Sequence, residues 1–285
     1  MKRQNLKLSM IVVALIGLML TSCQEDAVVI DTNASEEIDL KTAETEVEID
    51  KASEGVSAII EEVYLGEEHP ELTKTHPITD RFLPDCVTIT IVIVQNMKTV
   101  TIDFGEGCEL RNGNFVSGKI ILEYEKDPEA ATKMISYSFE EFYFNRKNIA
   151  GGGSILRERS NENGNPQSTK TFDIKVTWPD GSFASKVGVK IREWIEGHGT
   201  PAWGDNVFLI TGNGIFTKKN GTVLSAEVVE PLRRELACRF LVSGIVNLAK
   251  NENTAVLNYG DGACDDLATI SINGGEEREF HLSNL

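Results

Sequence analysis

The sequence reads as all-β: a long antiparallel meander of repeated hairpins, barrel-like or two-layer, with one short N-terminal helix. Three observations carry this expectation. Short runs rich in β-branched and aromatic residues recur from Val87 to Ile272. Gly, Asn and Asp break them about every ten residues. No long helical periodicity follows residue 84. The chain beyond that point is long enough for one sizeable β core.

The expected strands lie at 87–94, 100–104, 120–124, 134–144, 171–178 and 187–194, then at 207–210, 223–229, 240–248, 255–259 and 268–272. A weak repeat accompanies them. Gly118, Gly151, Gly212 and Gly244 each lead into an alternating strand. A glycine so placed marks a bend, a bulge or a close backbone approach.

The N-terminus has a different character. Lys2, Arg3 and Lys7 precede an apolar run from Met10 to Leu20, which is too short for a membrane-spanning helix of roughly 20 residues. Leu20-Thr21-Ser22-Cys23 follows and matches a bacterial lipobox. Residues 1–22 are therefore expected to be a lipoprotein signal peptide, and Cys23 the lipid-bearing first residue of the mature chain. More than one acyl chain makes such an anchor stable. Gln24, in place of an Asp, favours the outer membrane. Cys23-Gln24-Glu25-Asp26 is similar to the acidic tag of surface-exported lipoproteins of the Bacteroidota, which favours the cell surface over a periplasm-facing position.

Charge divides the chain again. Loss of Lys2, Arg3 and Lys7 takes the net charge from −16 to −19. Residues 24–71 hold 16 acidic residues against two lysines, whereas the remainder is nearly balanced. Residues 23–83 thus read as an acidic, solvated tether, and the absence of a basic patch argues against nucleic acid as a partner. Within the tether, Val56, Ile59, Ile60, Val63 and Tyr64 share one helical face and predict a helix over 51–65. Asp50 or Ser53 would cap it and Gly66 would end it. His69-Pro70, His76-Pro77 and Leu83-Pro84 then mark extended chain before a β domain over 84–285.

Four cysteines remain after Cys23. In an exported protein an even set favours disulfides. Cys86 and Cys108 sit symmetrically about the turn at residues 95–98, and Cys238 and Cys264 about the turn at 250–253. Cross-strand neighbours lie about 4.5–5.5 Å apart, within disulfide reach, so the expected bridges are Cys86–Cys108 and Cys238–Cys264. Zinc is disfavoured because no closely spaced cysteine pair exists.

Candidate chemistry is sparse. Asp261, Asp265 and Asp266, with Asn258 nearby, form a weak calcium candidate on a glycine-bent turn. Asp103, Glu106 and Glu109 form a similar turn, and in both a network of turn hydrogen bonds is the simpler account. Gly113 to Lys119 has P-loop lettering, but a strand follows where a phosphate site needs a helix N-terminus. The segment from Arg192 to Asn206 is the most site-like. It gathers Trp194, His198, Trp203, Asp205 and Asn206 on a glycine-bent loop. These five are the candidate ligand-binding residues, suited to a sugar or an apolar ligand. Indoles buried in the core would instead mark a structural role. Glu193, Glu196 and Asp205 could serve as paired carboxylates in a hydrolase.

Several segments together resemble one family. They are the lipobox, the acidic leader, Asp103-Phe104-Gly105 with Gly107-Cys108, Ser117-Gly118-Lys119-Ile120, the run from Arg192 to Gly197, and Gly260-Asp261-Gly262 with Cys264-Asp265. The pattern resembles uncharacterised outer-membrane lipoproteins of Flavobacteria and other Bacteroidota, over most of residues 84–275. The resemblance implies an exported β lipoprotein and supplies no catalytic residue or cofactor.

The expected function is a lipid-anchored, non-catalytic outer-membrane module that binds a glycan, a lipid or an envelope protein. A purely structural or assembly lipoprotein is the alternative, and a hydrolase a more distant one. Cys23→Ser should move the protein from the membrane to the soluble fraction on cell fractionation. Undiminished membrane retention would contradict lipidation.

Overall fold

The computed structural model describes residues 38–68, 83–127, 129–200 and 202–284. The signal peptide, Cys23 and the His69-Pro70 and His76-Pro77 segments lie outside the described residues. A single helix, α1 (Leu40–Glu68), precedes an antiparallel meander. The strands are β1 (Thr88–Val94), β2 (Met97–Asp103), β3 (Cys108–Glu109), β4 (Phe115–Glu125), β5 (Thr132–Phe144), β6 (Lys147–Glu158) and β7 (Gln167–Thr177). Then come β8 (Phe183–Glu196), β9 (Val207–Lys218), β10 (Val223–Glu235), β11 (Ser243–Lys250), β12 (Asn253–Asp261), β13 (Leu267–Ile272) and β14 (Arg278–His281). Each strand pairs with its sequence neighbour, except that β3 is a short arm on β4 and β2 pairs directly with β4. The long meander with a helix near the N-terminus is as expected, and of the two arrangements the barrel is not formed. The sheet stays open, with β1 and β14 as its edges, and its second layer is the helix.

That helix differs most from expectation. It runs for 29 residues from Leu40, not from 51 to 65. Its start is capped by Asp39, whose Oδ1 accepts the Thr42 amide at 2.7 Å, so Asp50 and Ser53 are interior residues. Five consecutive residues, Glu46 to Asp50, are buried. No single helical face holds five consecutive positions, so protein surrounds α1 on every side. Gly55 permits part of this closeness, because a Cβ there would lie 2.4 Å from the Phe144 ring. A chain segment read as a solvated acidic tether is thus, over 40–68, the centre of the core.

The sheet supplies the matching charge. Lys186 bonds to both Glu46 and Asp50. Lys190 meets Asp50 at 3.3 Å and Glu54 at 3.2 Å. Arg157 pairs with Glu61. Lys147 meets Glu48 at 2.8 Å, and the Trp178 indole donates to the same carboxylate at 2.7 Å. At the helix end, Glu68 takes Lys98 at 3.0 Å and Lys133 at 2.9 Å. The order of contacts also orients the helix. Along β6, Lys147 meets Glu48 and Arg157 meets Glu61; along β8, Lys186 meets Glu46 and Arg192 approaches Glu54 at 3.7 Å. The helix therefore runs in the same sense as β6 and β8.

Around this charged seam the concave face is apolar. Ile120, Leu122 and Tyr124 of β4, Phe172, Ile174 and Val176 of β7, and Leu257 and Tyr259 of β12 alternate inward with outward polar neighbours. On β8 the alternation is inverted: Lys186, Lys190 and Arg192 point in, while Val187 and Ile191 are exposed. Two disulfides join loops at the sheet ends, Cys86–Cys108 with Cα atoms 5.9 Å apart and Cys238–Cys264 at 5.4 Å. Both match the pairing expected from the hairpin tips.

The four repeat glycines all have positive φ inside strands, with Gly118 at +78°. A Cβ at Gly118 would lie 2.0 Å from the Glu141 carbonyl oxygen, where the β4–β5 register shifts. This is the close approach that the repeat implied.

Burial sets the protonation of the seam. Burial would raise the Asp50 carboxyl, but Lys186 and Lys190 outweigh it and hold it at about 2. Glu46, sharing Lys186 with Asp50, is instead raised by burial. Among the described residues, Lys170 has no carboxylate within bonding distance. Its ammonium bonds to Ser53 and Ser57 at 2.9–3.2 Å, and burial lowers it to about 7, against the attraction of Glu54.

Two predictions follow from this seam. Asp50→Asn leaves Lys186 and Lys190 under-compensated in the core and should cost about 3 kcal/mol at neutral pH, read as a lowered urea midpoint; an unchanged midpoint would refute the ladder's role. For Lys170 the folded state favours the neutral amine, so the unfolded chain binds more protons between about 7 and 10.5. Stability from this group therefore rises with pH across that window. Lys170→Met should flatten the rise, measured as urea midpoints across the same window, whereas parallel profiles would exclude Lys170 as its source.

Candidate ligand-binding site

The segment singled out from sequence follows the last residues of β8. Trp194 is buried, donates its amide to the Pro166 carbonyl at 2.9 Å and stacks on Phe208 with ring centres 5.5 Å apart. The register between β8 and β9 shifts just after it, which releases the chain into the loop. His198 meets the Trp194 ring edge-on at 6.2 Å. Thr200 closes the loop by donating its hydroxyl to Asp205 at 2.7 Å. A 3-10 turn at Trp203–Asp205 leads into β9. Asn206 is buried, and its carbonyl accepts the Leu236 amide at 3.0 Å.

Only part of this set converges on space. A cavity of about 270 Å³ opens at the C-terminal end of α1. Trp194 and His198 line it, together with Tyr64, Leu65, Arg157 and Pro166. Trp203, Asp205 and Asn206 do not. Asp205 is spent on the loop, and the buried Asn206 side-chain oxygen lies against the loop backbone at Gly197. Five elements build the site: the last turn of α1, the start of β5, the end of β6, the residue before β7 and the end of β8.

The walls are mainly apolar, with a rim of mixed charge in which Glu68 and Glu158 stand beside Lys133, Arg157 and Arg159. The Arg157 guanidinium lies 4.3 Å from the Tyr64 ring centre and is paired with Glu61. Lys133 sits between the Tyr64 and Tyr124 rings, at 5.7 and 5.3 Å, and is held by Glu68. Burial would raise Glu68, but hydrogen bonds from Lys133, Lys98 and Tyr124 lower it, so it stays ionised. Burial and the facing Glu68 raise the Tyr124 phenol, which stays protonated and donates to Glu68 at 3.0 Å. Among the described residues, two buried atoms of the candidate segment have no hydrogen-bond partner, the Trp194 Nε1 and the Asn206 side-chain oxygen. A buried unpaired donor costs about 1–3 kcal/mol.

The three carboxylates considered for hydrolysis are each tied to a separate local task. Glu193 accepts from Asn163 and Asn165, both at 2.9 Å, and hydrogen bonds from this asparagine cluster lower its carboxyl. Glu196 pairs with Arg233 at 3.0 Å, and Asp205 serves Thr200. The calcium candidates are likewise engaged. The Asn258 side chain accepts the Gly260 amide and Asp265 accepts the Leu267 amide, both at 3.0 Å, while Asp266 pairs with His281 at 2.9 Å. Among the described residues, no group of three or more His, Cys, Asp or Glu side chains is arranged to hold a metal ion.

Sequence reasoning located Trp194 and His198 through the clustering of rare residue types. It missed Tyr64, Leu65, Lys133 and Arg157, which lie on three other elements. The apolar periodicity of the helix marked Tyr64 for contact, but no local signal could name its partners, and Leu65 falls outside that face. No family model matches this sequence, and no curated protein or solved structure matches it either.

Proposed function

We propose that this chain is an exported lipoprotein, anchored to the outer membrane through Cys23, whose β body is a non-catalytic binding module. The resemblance to lipoproteins of the Bacteroidota supports the anchor. The cavity at the end of α1 supports the binding role, and one observation carries it: Trp194 and His198, two of the residues singled out from sequence, converge there with Tyr64, Lys133 and Arg157 from three other elements. Cavities that hold small molecules are mostly apolar, with a few fixed polar groups, and typically span about 300–1,000 Å³. This one, at about 270 Å³, suits a single sugar unit or a short segment of a larger glycan or lipid.

A structural or assembly role is the second reading. It is favoured by the stacking of Trp194 on Phe208 and its burial in the core, the arrangement expected of an indole that plugs a sheet.

Indole N–H resonances separate the two. The chain has three tryptophans, and Trp194→Phe assigns the relevant signal. Titration with acidic and neutral monosaccharides and with short-chain phospholipids should move the Trp194 signal and leave that of Trp178, held by Glu48, in place. Ala131→Phe, which fills the cavity, should abolish the shift. A Trp194 signal unmoved by every compound would favour the structural reading.

A further inference from the structure

The two edges of the sheet are unlike. β14 is four residues long and carries Arg278, Glu279 and His281. Short, charged edges are the usual protection against strand addition. β1 has the opposite design. Its sequence, Thr-Ile-Thr-Ile-Val-Ile-Val, contains no charge, proline or glycine, and all seven residues are exposed. Ile91 is 38% exposed and Val94 65%.

The register shows where these side chains point. Ile89 pairs with Ile102, Ile91 with Val100 and Ile93 with Lys98. Val100, Ile102 and Lys98 are buried on the concave face. The three isoleucines therefore continue the wall of the core one strand further, past the cover of the helix. The backbone follows the same parity. Gln95 and Asn96 form a two-residue hairpin between Val94 and Met97. In such a hairpin the flanking pair is hydrogen-bonded. Counting back from Val94, the even-numbered residues turn their amides and carbonyls to β2. Ile89, Ile91 and Ile93 turn theirs to the open edge.

We infer that β1 is the interface of a two-fold dimer, in which the β1 strands of two copies of this chain pair antiparallel about Ile91. The strand is self-complementary about that residue. Ile91 faces Ile91 of the second copy, and Ile89 faces Ile93, each pair hydrogen-bonded through groups that no other described strand pairs with. Pairing of this kind supplies about six main-chain hydrogen bonds. It also joins two ladders of three isoleucines into one apolar face continuous with both cores. A strand without charge offers nothing to steer a charged partner, whereas a two-fold needs only the same apolar pattern read in both directions.

Cross-linking of the full-length chain tests both the dimer and its register. Ile91→Cys places two thiols about 5.5 Å apart at Cα, within disulfide range. Under mild oxidation it should give a covalent dimer on a non-reducing gel. Ile89→Cys places its thiols on opposite sides of the axis, about 14 Å apart, and should stay monomeric; Ile89→Cys combined with Ile93→Cys should cross-link. In sedimentation, the native chain and Ile91→Val should dimerise, and Ile91→Lys should weaken the dimer at least tenfold. A native chain that remains monomeric at every concentration would overturn the inference, including the case where it stays monomeric yet binds an added β-strand peptide or lipid vesicles through β1. So would a dimer that survives Ile91→Lys with Ile91→Cys uncross-linked, or cross-linking that is equal at positions 89 and 91.

Discussion

The structure depends on one constraint: an acidic helix held inside a sheet must find its counter-charges there. The described part of α1 carries nine carboxylates against two lysines. Isolated carboxylates buried in a protein interior would be strongly disfavoured. Lys98, Lys133, Lys147, Arg157, Lys186 and Lys190 answer them from four different strands. Such pairs do little better than an apolar seam of equal volume, because desolvation consumes much of the Coulomb gain. What they supply here is registration. An apolar helix could slide or rotate against a smooth concave wall. A helix whose Glu46, Asp50, Glu54 and Glu61 must each meet a named cation has one axial position and one rotation.

The same constraint decides what could be read in the sequence. The hairpins and both disulfides were legible because they are local: a turn fixes its two strands, and the cysteines sit at matched distances from the tips. The fate of the helix was not. Charge density is normally a sign of solvent, and nothing within residues 40–68 shows that cations 30 to 140 positions later will surround them. β8 carries the complementary deception. Val187 and Ile191 look like its inward face, yet Lys186, Lys190 and Arg192 hold that position because the layer they meet is anionic. Alternation gives the period of a strand, but its phase depends on the chemistry of the facing layer. β6 was overlooked for a different reason. Gly151, Gly152 and Gly153 lower strand propensity, yet a Cβ at Gly153 would lie 2.0 Å from the Thr171 carbonyl oxygen, so the glycines are needed for the neighbouring strand to approach.

The candidate site inherits this architecture. Its floor is the last turn of the helix, and its cations are the final rungs of the ladder, Lys133 and Arg157, already engaged by Glu68 and Glu61. They are therefore fixed in place before any ligand arrives, the condition under which polar groups confer specificity at least entropic cost. Trp194 is fixed as well, by Phe208 behind it and its amide on Pro166. The indole is then a rigid wall of a preformed space. That is why the residue matters more than its exposed loop neighbours, which the sequence made equally conspicuous.

A simple size argument connects the helix to the free edge. A helix packs about 8–10 Å from the layer around it. A circle of 10 Å radius is spanned by about 13 strands spaced 4.8 Å apart, and by fewer once the strands tilt as barrel strands do. The main path of this sheet, β3 aside, already has 13 strands. One helix therefore cannot cover both ends of the meander. The shortfall falls on β1, whose Ile89, Ile91 and Ile93 carry the core pattern but meet no core, while β13 keeps Ala268 and Ile270 buried and Leu282 packs beyond β14. A strand patterned for burial and left beyond the reach of its helix retains the chemistry of an interior surface, and this asymmetry makes β1 rather than β14 the edge through which the fold can be extended.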